Sequence, residues 1–162
     1  MSKISIIVPV YYSSDTLMML YQDMKEKILG QLGDYEIVFV DDGSGDESWS
    51  IMQEIGALDD RVVLVKLSRN FGEHAALLAG LSCCTGDCAV TKQADLQEDS
   101  ELILELYESW KKGNKVVLAV REERDDKLIY KWFANLYYMI VRKLIMPDMP
   151  RGGFDCYLLD RK

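Results

Sequence analysis

The side chains of this 162-residue chain that could do chemistry fall in five polar clusters, each placed just after an apolar run. The first run ends in Pro9-Val10-Tyr11, and the second in Asp41-Asp42-Gly43-Ser44. The third is followed by Ser68-Arg69-Asn70-Phe71-Gly72, the fourth by Gln93-Ala94-Asp95-Leu96-Gln97, and the fifth by Arg121 and Arg124. Taken alone, Asp-Asp-Gly reads first as a solvated turn, and Asp95 as a turn residue or helix cap. Asp95 and Gln97 alternate, however, so extended backbone would turn both oxygens the same way. A hard cation such as Mg²⁺ or Mn²⁺ requires that arrangement. Acids for a metal, arginines for phosphate and aromatics for a base together point to a metal–nucleotide–phosphate site.

The elements that must position these clusters follow from hydrophobic period. Short Ile/Val-rich runs at 3–10, 35–40, 62–67, 87–93 and 115–120 read as strands buried on both faces. Between them, 16–29, 46–58, 73–84 and 99–112 have helical character, and a long helix is predicted over 127–145. The stretch Ala75-Ala76-Leu77-Leu78-Ala79-Gly80-Leu81 is rich in small residues and suits a helix packed close against a sheet. Strands alternating with helices predict an α/β, Rossmann-like, mainly parallel sheet with helices on both faces. Such sheets bind ligands at the carboxyl ends of their strands, where the five clusters fall.

Several classes are excluded by what is missing. No glycine occurs before Gly30, so neither a dinucleotide-binding G-x-G-x-x-G nor a Walker A loop can follow the first strand. A response-regulator receiver would need its acidic pair after strand one and a lysine after strand five. The net charge of −8 argues against a nucleic-acid footprint, which needs a basic face. Cys83, Cys84, Cys88 and Cys156 lack zinc spacing and read as reduced thiols in a cytosolic setting. The charge is uneven. Residues 1–126 hold 24 acids and 12 bases, whereas 127–162 hold 3 acids and 7 bases.

In series, the segments IIVPVYYSSDTL, YEIVFVDDGSGDES, KLSRNFGEHAALLAGL, TGDCAVTKQADLQEDSELI and VVLAVREERDD resemble a family-2 glycosyltransferase of GT-A fold. The branch they resemble contains dolichol-phosphate mannosyltransferases and bacterial polyprenyl-phosphate glycosyltransferases. The resemblance implies nucleotide contacts from Pro9, Tyr11, Asp41, Asp42, Arg69 and Gln93, with Asp41 bonding the base and Asp42 near the ribose. It implies a divalent metal, Mg²⁺ or Mn²⁺, on Asp95 and Gln97. It also implies that Arg121 and Arg124 face the donor and acceptor phosphates, with Asp155 near the acceptor. The expected reaction is inverting transfer of a sugar from a UDP- or GDP-sugar to a polyprenyl phosphate. A saccharide acceptor in cell-wall or capsule synthesis and a non-catalytic nucleotide-binding variant are the alternatives.

Three departures from the family pattern qualify those expectations. Gln93 stands where the D-x-D motif begins, so Gln93→Asp would be expected to tighten metal binding. Tyr12-Ser13-Ser14 replaces the usual Asn-x-Glu. The chain ends at Lys162 where family members continue, so residues 1–162 are expected to form a single GT-A catalytic domain, incomplete at its C-terminus. The segment 127–146 (KLIYKWFANLYYMIVRKLIM) has 15 apolar residues of 20, four cations and no acid. It suits an interfacial position on anionic lipid, or a core helix, and places the protein at the cytoplasmic face of a membrane.

Overall fold

The computed structural model describes residues 2–120 and 154–162. The helix expected over 127–145, together with Arg121 and Arg124, lies outside the described residues. The rest form one six-stranded sheet in the order β3-β2-β1-β4-β6-β5. Strands β1 (Lys3–Val10), β2 (Asp34–Asp41), β3 (Val62–Lys66) and β4 (Cys88–Thr91) pair in parallel. Helices α1 (Ser14–Met24), α2 (Ser48–Leu58), α3 (Glu73–Cys83) and α4 (Leu102–Lys111) connect or follow them. The α/β architecture expected from periodicity is observed.

The two faces of the sheet are built from alternate residues of the same strands. Ile4, Ile6, Val8, Ile37 and Phe39 share one core with Leu17 and Leu20 of α1, Met52 of α2 and Ile103 of α4. Ile7, Val38 and Val40 point the other way, onto Ala76 and Leu77 of α3. The small residues of α3 are sterically required. A Cβ at Gly80 would lie 2.5 Å from the Ile7 Cγ2 and 3.2 Å from the Val40 Cγ2. Because α1 and α3 cover opposite faces, the connections diverge beside β1 and β4, and a crevice opens at their carboxyl ends.

Two elements differ from expectation. The helix begun at Ser14 keeps α-helical bonding only to Met24, and Lys25–Leu29 widens into a π-helical turn that still buries Ile28 and Leu29. The strand β6 (Phe154–Asp160) was not anticipated at all. It enters between β4 and β5 (Val116–Val120), antiparallel to both. Its start, paired Val120 to Phe154, therefore lies at the sheet edge where the parallel strands end. Cys156 and Leu158 fill the core from this strand. At its far end Asp160 accepts a 2.7 Å bond from the Trp110 indole and pairs with Lys115 at 3.0 Å, tying α4 and β5 to it.

At the opposite edge of the sheet, one buried carboxylate joins three segments. Glu36 accepts hydrogen bonds from Lys3 (2.7 Å), the Ser5 hydroxyl (2.6 Å), the Thr85 hydroxyl (2.7 Å) and the Gly86 amide (3.2 Å). Burial works to raise the pKa of its carboxyl, but the bonds from Lys3, Ser5 and Thr85 outweigh it and hold the value at about 2. The folded pKa lies below the ordinary 4.5, so this contribution is complete above that pH and is lost as pH falls toward 2. We predict that Glu36→Gln costs about 3 kcal/mol in urea unfolding at neutral pH. The gap to wild type should close as the titration runs from pH 4.5 to 2; a constant gap would contradict the assignment.

Candidate functional site

A hollow of about 270 Å³ occupies the crevice at the ends of β1 and β4. Pro9, Tyr11, Asp42, Glu73, Gln93 and Asp95 all line it. The six come from four separate segments, and all but Glu73 were singled out by sequence. A larger hollow of about 840 Å³ lies at the other edge, by Tyr21, Lys25, Tyr35 and Arg61. There Asp59 already accepts bonds from Arg61 (2.9 Å) and the Tyr35 hydroxyl (3.0 Å), so these three side chains are engaged with one another.

The walls of the smaller hollow are fixed by the turn after β2. Asp42 accepts hydrogen bonds from the Phe71 and Gly72 amides, each 2.8 Å, and its own amide donates to Val10 at 2.8 Å. Asp42 thus joins the end of β1, through its amide, to the loop that opens α3, through its carboxylate. Gly43 completes the turn with φ of +74°, and a Cβ there would lie 2.5 Å from the Arg69 carbonyl carbon. Asp41 is fully buried. One of its oxygens accepts from the Ser44 amide at 2.9 Å. The other, Oδ2, has no hydrogen-bond donor among the described residues, with Lys66 Nζ at 3.8 Å. Arg69 lies outside the hollow's wall, its guanidinium 4.1 Å over the Phe71 ring. Tyr11 and Tyr12 stand exposed at the mouth, edge to face at 4.7 Å, with Tyr12 in the left-handed region at φ 51°. A bulky residue seldom adopts that conformation outside a constrained turn.

The loop after β4 departs from the extended geometry that sequence alternation assumed. Leu96 has φ of 59°, and the Asp95 carboxylate accepts from the Gln97 amide at 3.1 Å. The left-handed residue reverses the alternation, so Asp95 faces the hollow while Gln97 lines a neighbouring one with Glu98 and Leu102. Among the described residues no three His, Cys, Asp or Glu side chains converge as a ready-made metal cage.

Sequence reasoning missed two residues here. Lys92, inside an apolar run, is buried, and its ammonium donates to the Glu98 carbonyl with the Glu98 carboxylate 3.9 Å away. It ties the two ends of the Gln93–Glu98 loop. Glu73, the first residue of α3, accepts a bond from the Gln93 amide nitrogen at 2.5 Å. The Tyr157 hydroxyl of β6 is raised above its ordinary pKa by burial and then by the charge of Glu73. The signal for Glu73 was its place: a carboxylate directly after a loop already suspected of binding. Asp155 is carried by β6 near the same sheet edge.

Residues 5–162 match the family model described as Glycosyl transferase family 2. The uncharacterized glycosyltransferase YkcC of Bacillus subtilis (strain 168) is 40% identical over 159 residues, 98% of this chain and 49% of that protein. The bactoprenol glucosyl transferase of Shigella phage SfV is 34% identical over 161 residues, 99% of this chain and 52% of that protein. The chain therefore spans about half the length of the curated relatives it matches. Among solved structures, Mycobacterium tuberculosis glucosyl-3-phosphoglycerate synthase superposes with TM-score 0.65 at 18% identity, covering 99% of this chain and 58% of that one. Residues 1–349 of S. aureus TarS in complex with UDP give 0.63 at 20% identity, covering 77% and 37%. These likenesses show the GT-A fold.

The seat of the 69–72 loop on Gly43 can be tested directly. Gly43→Ala adds left-handed strain and a backbone clash, and is expected to cost about 1–3 kcal/mol in urea unfolding. Hydrogen exchange at the Phe71 and Gly72 amides should accelerate, because the loop must lift away from Asp42. Unchanged exchange would show that the loop does not rest on this turn.

Proposed function

As this chain belongs to glycosyl transferase family 2, we propose that it is the donor-binding part of an inverting enzyme that moves a sugar from a nucleoside-diphosphate sugar to a polyprenyl phosphate. The observation that carries the reading is the single hollow shared by Pro9, Tyr11, Asp42, Gln93 and Asp95 at the point where the sheet's connections diverge. The lipid acceptor is supported by the relatives named bactoprenol glucosyl transferases, of which this chain covers about half.

Each residue's role follows from its chemistry. Pro9 and Tyr11 offer an apolar edge and an aromatic face for a nucleobase. Asp41 keeps a buried oxygen without a donor, which suits a base N–H. Asp42 holds the loop that bears Arg69 close to the ribose and phosphates. Two exposed carboxylates, Asp95 and Glu73, line the hollow, and Glu73 already accepts a bond from Gln93. That set fits Mg²⁺ or Mn²⁺, since such ions are held by one or two carboxylates and complete their shell with phosphate and water. Bound there, the ion would supply neutralising charge to the leaving diphosphate. Gln97 faces a different hollow, so the proposal rests on Asp95.

Arg121, Arg124 and Asp155 complete the proposal on the acceptor side. The acceptor's phosphate oxygen forms the new bond to the anomeric carbon as the bond to the diphosphate breaks. That oxygen is already anionic near neutral pH, so positioning and charge neutralisation matter more than a strong base. Arg121 and Arg124 would neutralise the two phosphates, and Asp155 would orient the acceptor. The reaction would take place at the cytoplasmic face of a membrane, with the basic, aromatic stretch 127–146 against lipid. Among the described residues no helix is long and apolar enough to cross a membrane.

Calorimetric titration of the chain with UDP and with GDP, each with and without Mn²⁺, tests the reading. One nucleotide should bind, more tightly with metal. Asp95→Ala should remove the metal's contribution, weakening binding about tenfold or more, while unfolding stability changes by less than about 1 kcal/mol. Binding that ignores both metal and Asp95 would refute the donor-site assignment.

A further inference from the structure

The corner of the hollow where the family places the first acid of its metal motif holds an amide in this chain, Gln93. The carboxylate missing there is nonetheless present within 2.5 Å. Glu73 reaches the corner from the first turn of α3, and its Oε1 accepts the hydrogen bond from the Gln93 Nε2. Both residues line the same hollow as Asp42 and Asp95. We infer that Glu73 supplies the donor site's missing carboxylate and that the Glu73–Gln93 pair works as one unit recognising the ribose hydroxyls of the nucleotide. The inference rests on the donor-site reading above and assigns to it a residue from a different element.

Three physical points carry it. The position of Glu73 is set by short tethers: the Gly72 amide is held by Asp42 at 2.8 Å, and Gly72 in turn accepts the first bonds of α3, from Ala75 and Ala76. Its charge also sits in the first turn of a helix, where the exposed amides favour an anion. A carboxylate has about four acceptor positions. One bond to Gln93 therefore leaves capacity for the vicinal hydroxyls of a ribose, which need acceptors. Gln93 orients the carboxylate without adding a second negative charge beside it.

The pairing reverses what the motif alone suggests for Gln93→Asp. An aspartate at 93 would bring a second carboxylate against Glu73, and like charges at that spacing disfavour ionisation of one of them. Restoring the common motif at position 93 should therefore harm the site unless position 73 changes with it. One carboxylate and one amide are needed, and they can be exchanged.

The test is a swap, read by calorimetry with Mn²⁺ and whichever of UDP and GDP the wild type binds, beside its 2′-deoxy and 3′-deoxy counterparts. The wild type should prefer the ribonucleotide. Glu73→Gln should weaken it about tenfold and erase the preference, and Gln93→Asp should weaken it also. The double variant Glu73→Gln/Gln93→Asp should recover to within about threefold of wild type. Without nucleotide, urea unfolding at neutral pH should show Gln93→Asp destabilised and the double variant rescued. Tighter binding by Gln93→Asp alone would overturn the inference. So would a Glu73→Gln variant that keeps both affinity and hydroxyl preference, or single and double variants whose effects simply add. A wild type that binds no nucleotide would instead refute the donor-site reading on which this one depends.

Discussion

A carboxylate that accepts two neighbouring backbone amides holds this site together. Asp42 takes the Phe71 and Gly72 amides at 2.8 Å each while its own amide is bonded to Val10. Hydrogen bonds to an ionised acceptor are roughly twice as strong as neutral ones, and here two of them close on adjacent residues. The end of β1, the end of β2 and the start of α3 are thereby locked in one frame. Glu73 owes its place to that frame, and Gln93 owes its orientation to Glu73. The hollow is thus shaped by backbone geometry first, and the chemical side chains hang from it.

What could be read from the sequence was whatever depends on local pattern. Alternation along KISIIVPV and YEIVFV is seen in the two cores, with Ile6 and Phe39 on one side and Ile7 and Val38 on the other. The small residues of α3 announced close packing, and Gly80 shows why. That Pro9, Tyr11, Asp42, Gln93 and Asp95 would meet at one hollow was legible because a parallel sheet brings its strand ends to one edge, whatever their spacing in the chain.

What escaped depended on backbone exceptions and long-range pairing. Alternation could not foresee that Leu96 is left-handed and turns Gln97 out of the hollow that Asp95 faces. Lys92 and Glu73 were hidden because each acts through a partner on another segment, Glu98 and Gln93. β6 was hidden for a related reason. Its seven residues make a strand only because β4 and β5 flank it.

The place of β6 also constrains the order in which the fold can be assembled. Domains fold as they are synthesised, N-terminal parts first. β1 to β4 can pair as soon as they emerge, but β4 and β5 cannot meet, since the slot between them belongs to a strand that begins at Phe154. Until it arrives, the Cys88–Thr91 edge offers unpaired amides and carbonyls to any passing strand. Closing it joins Val90 to Leu158, a contact between distant parts of the chain of the sort that slows folding. From the synthesis of β4 until Phe154–Asp160 emerges, the nascent chain therefore carries an open sheet edge beside the hollow, and β6 is the strand that seals it.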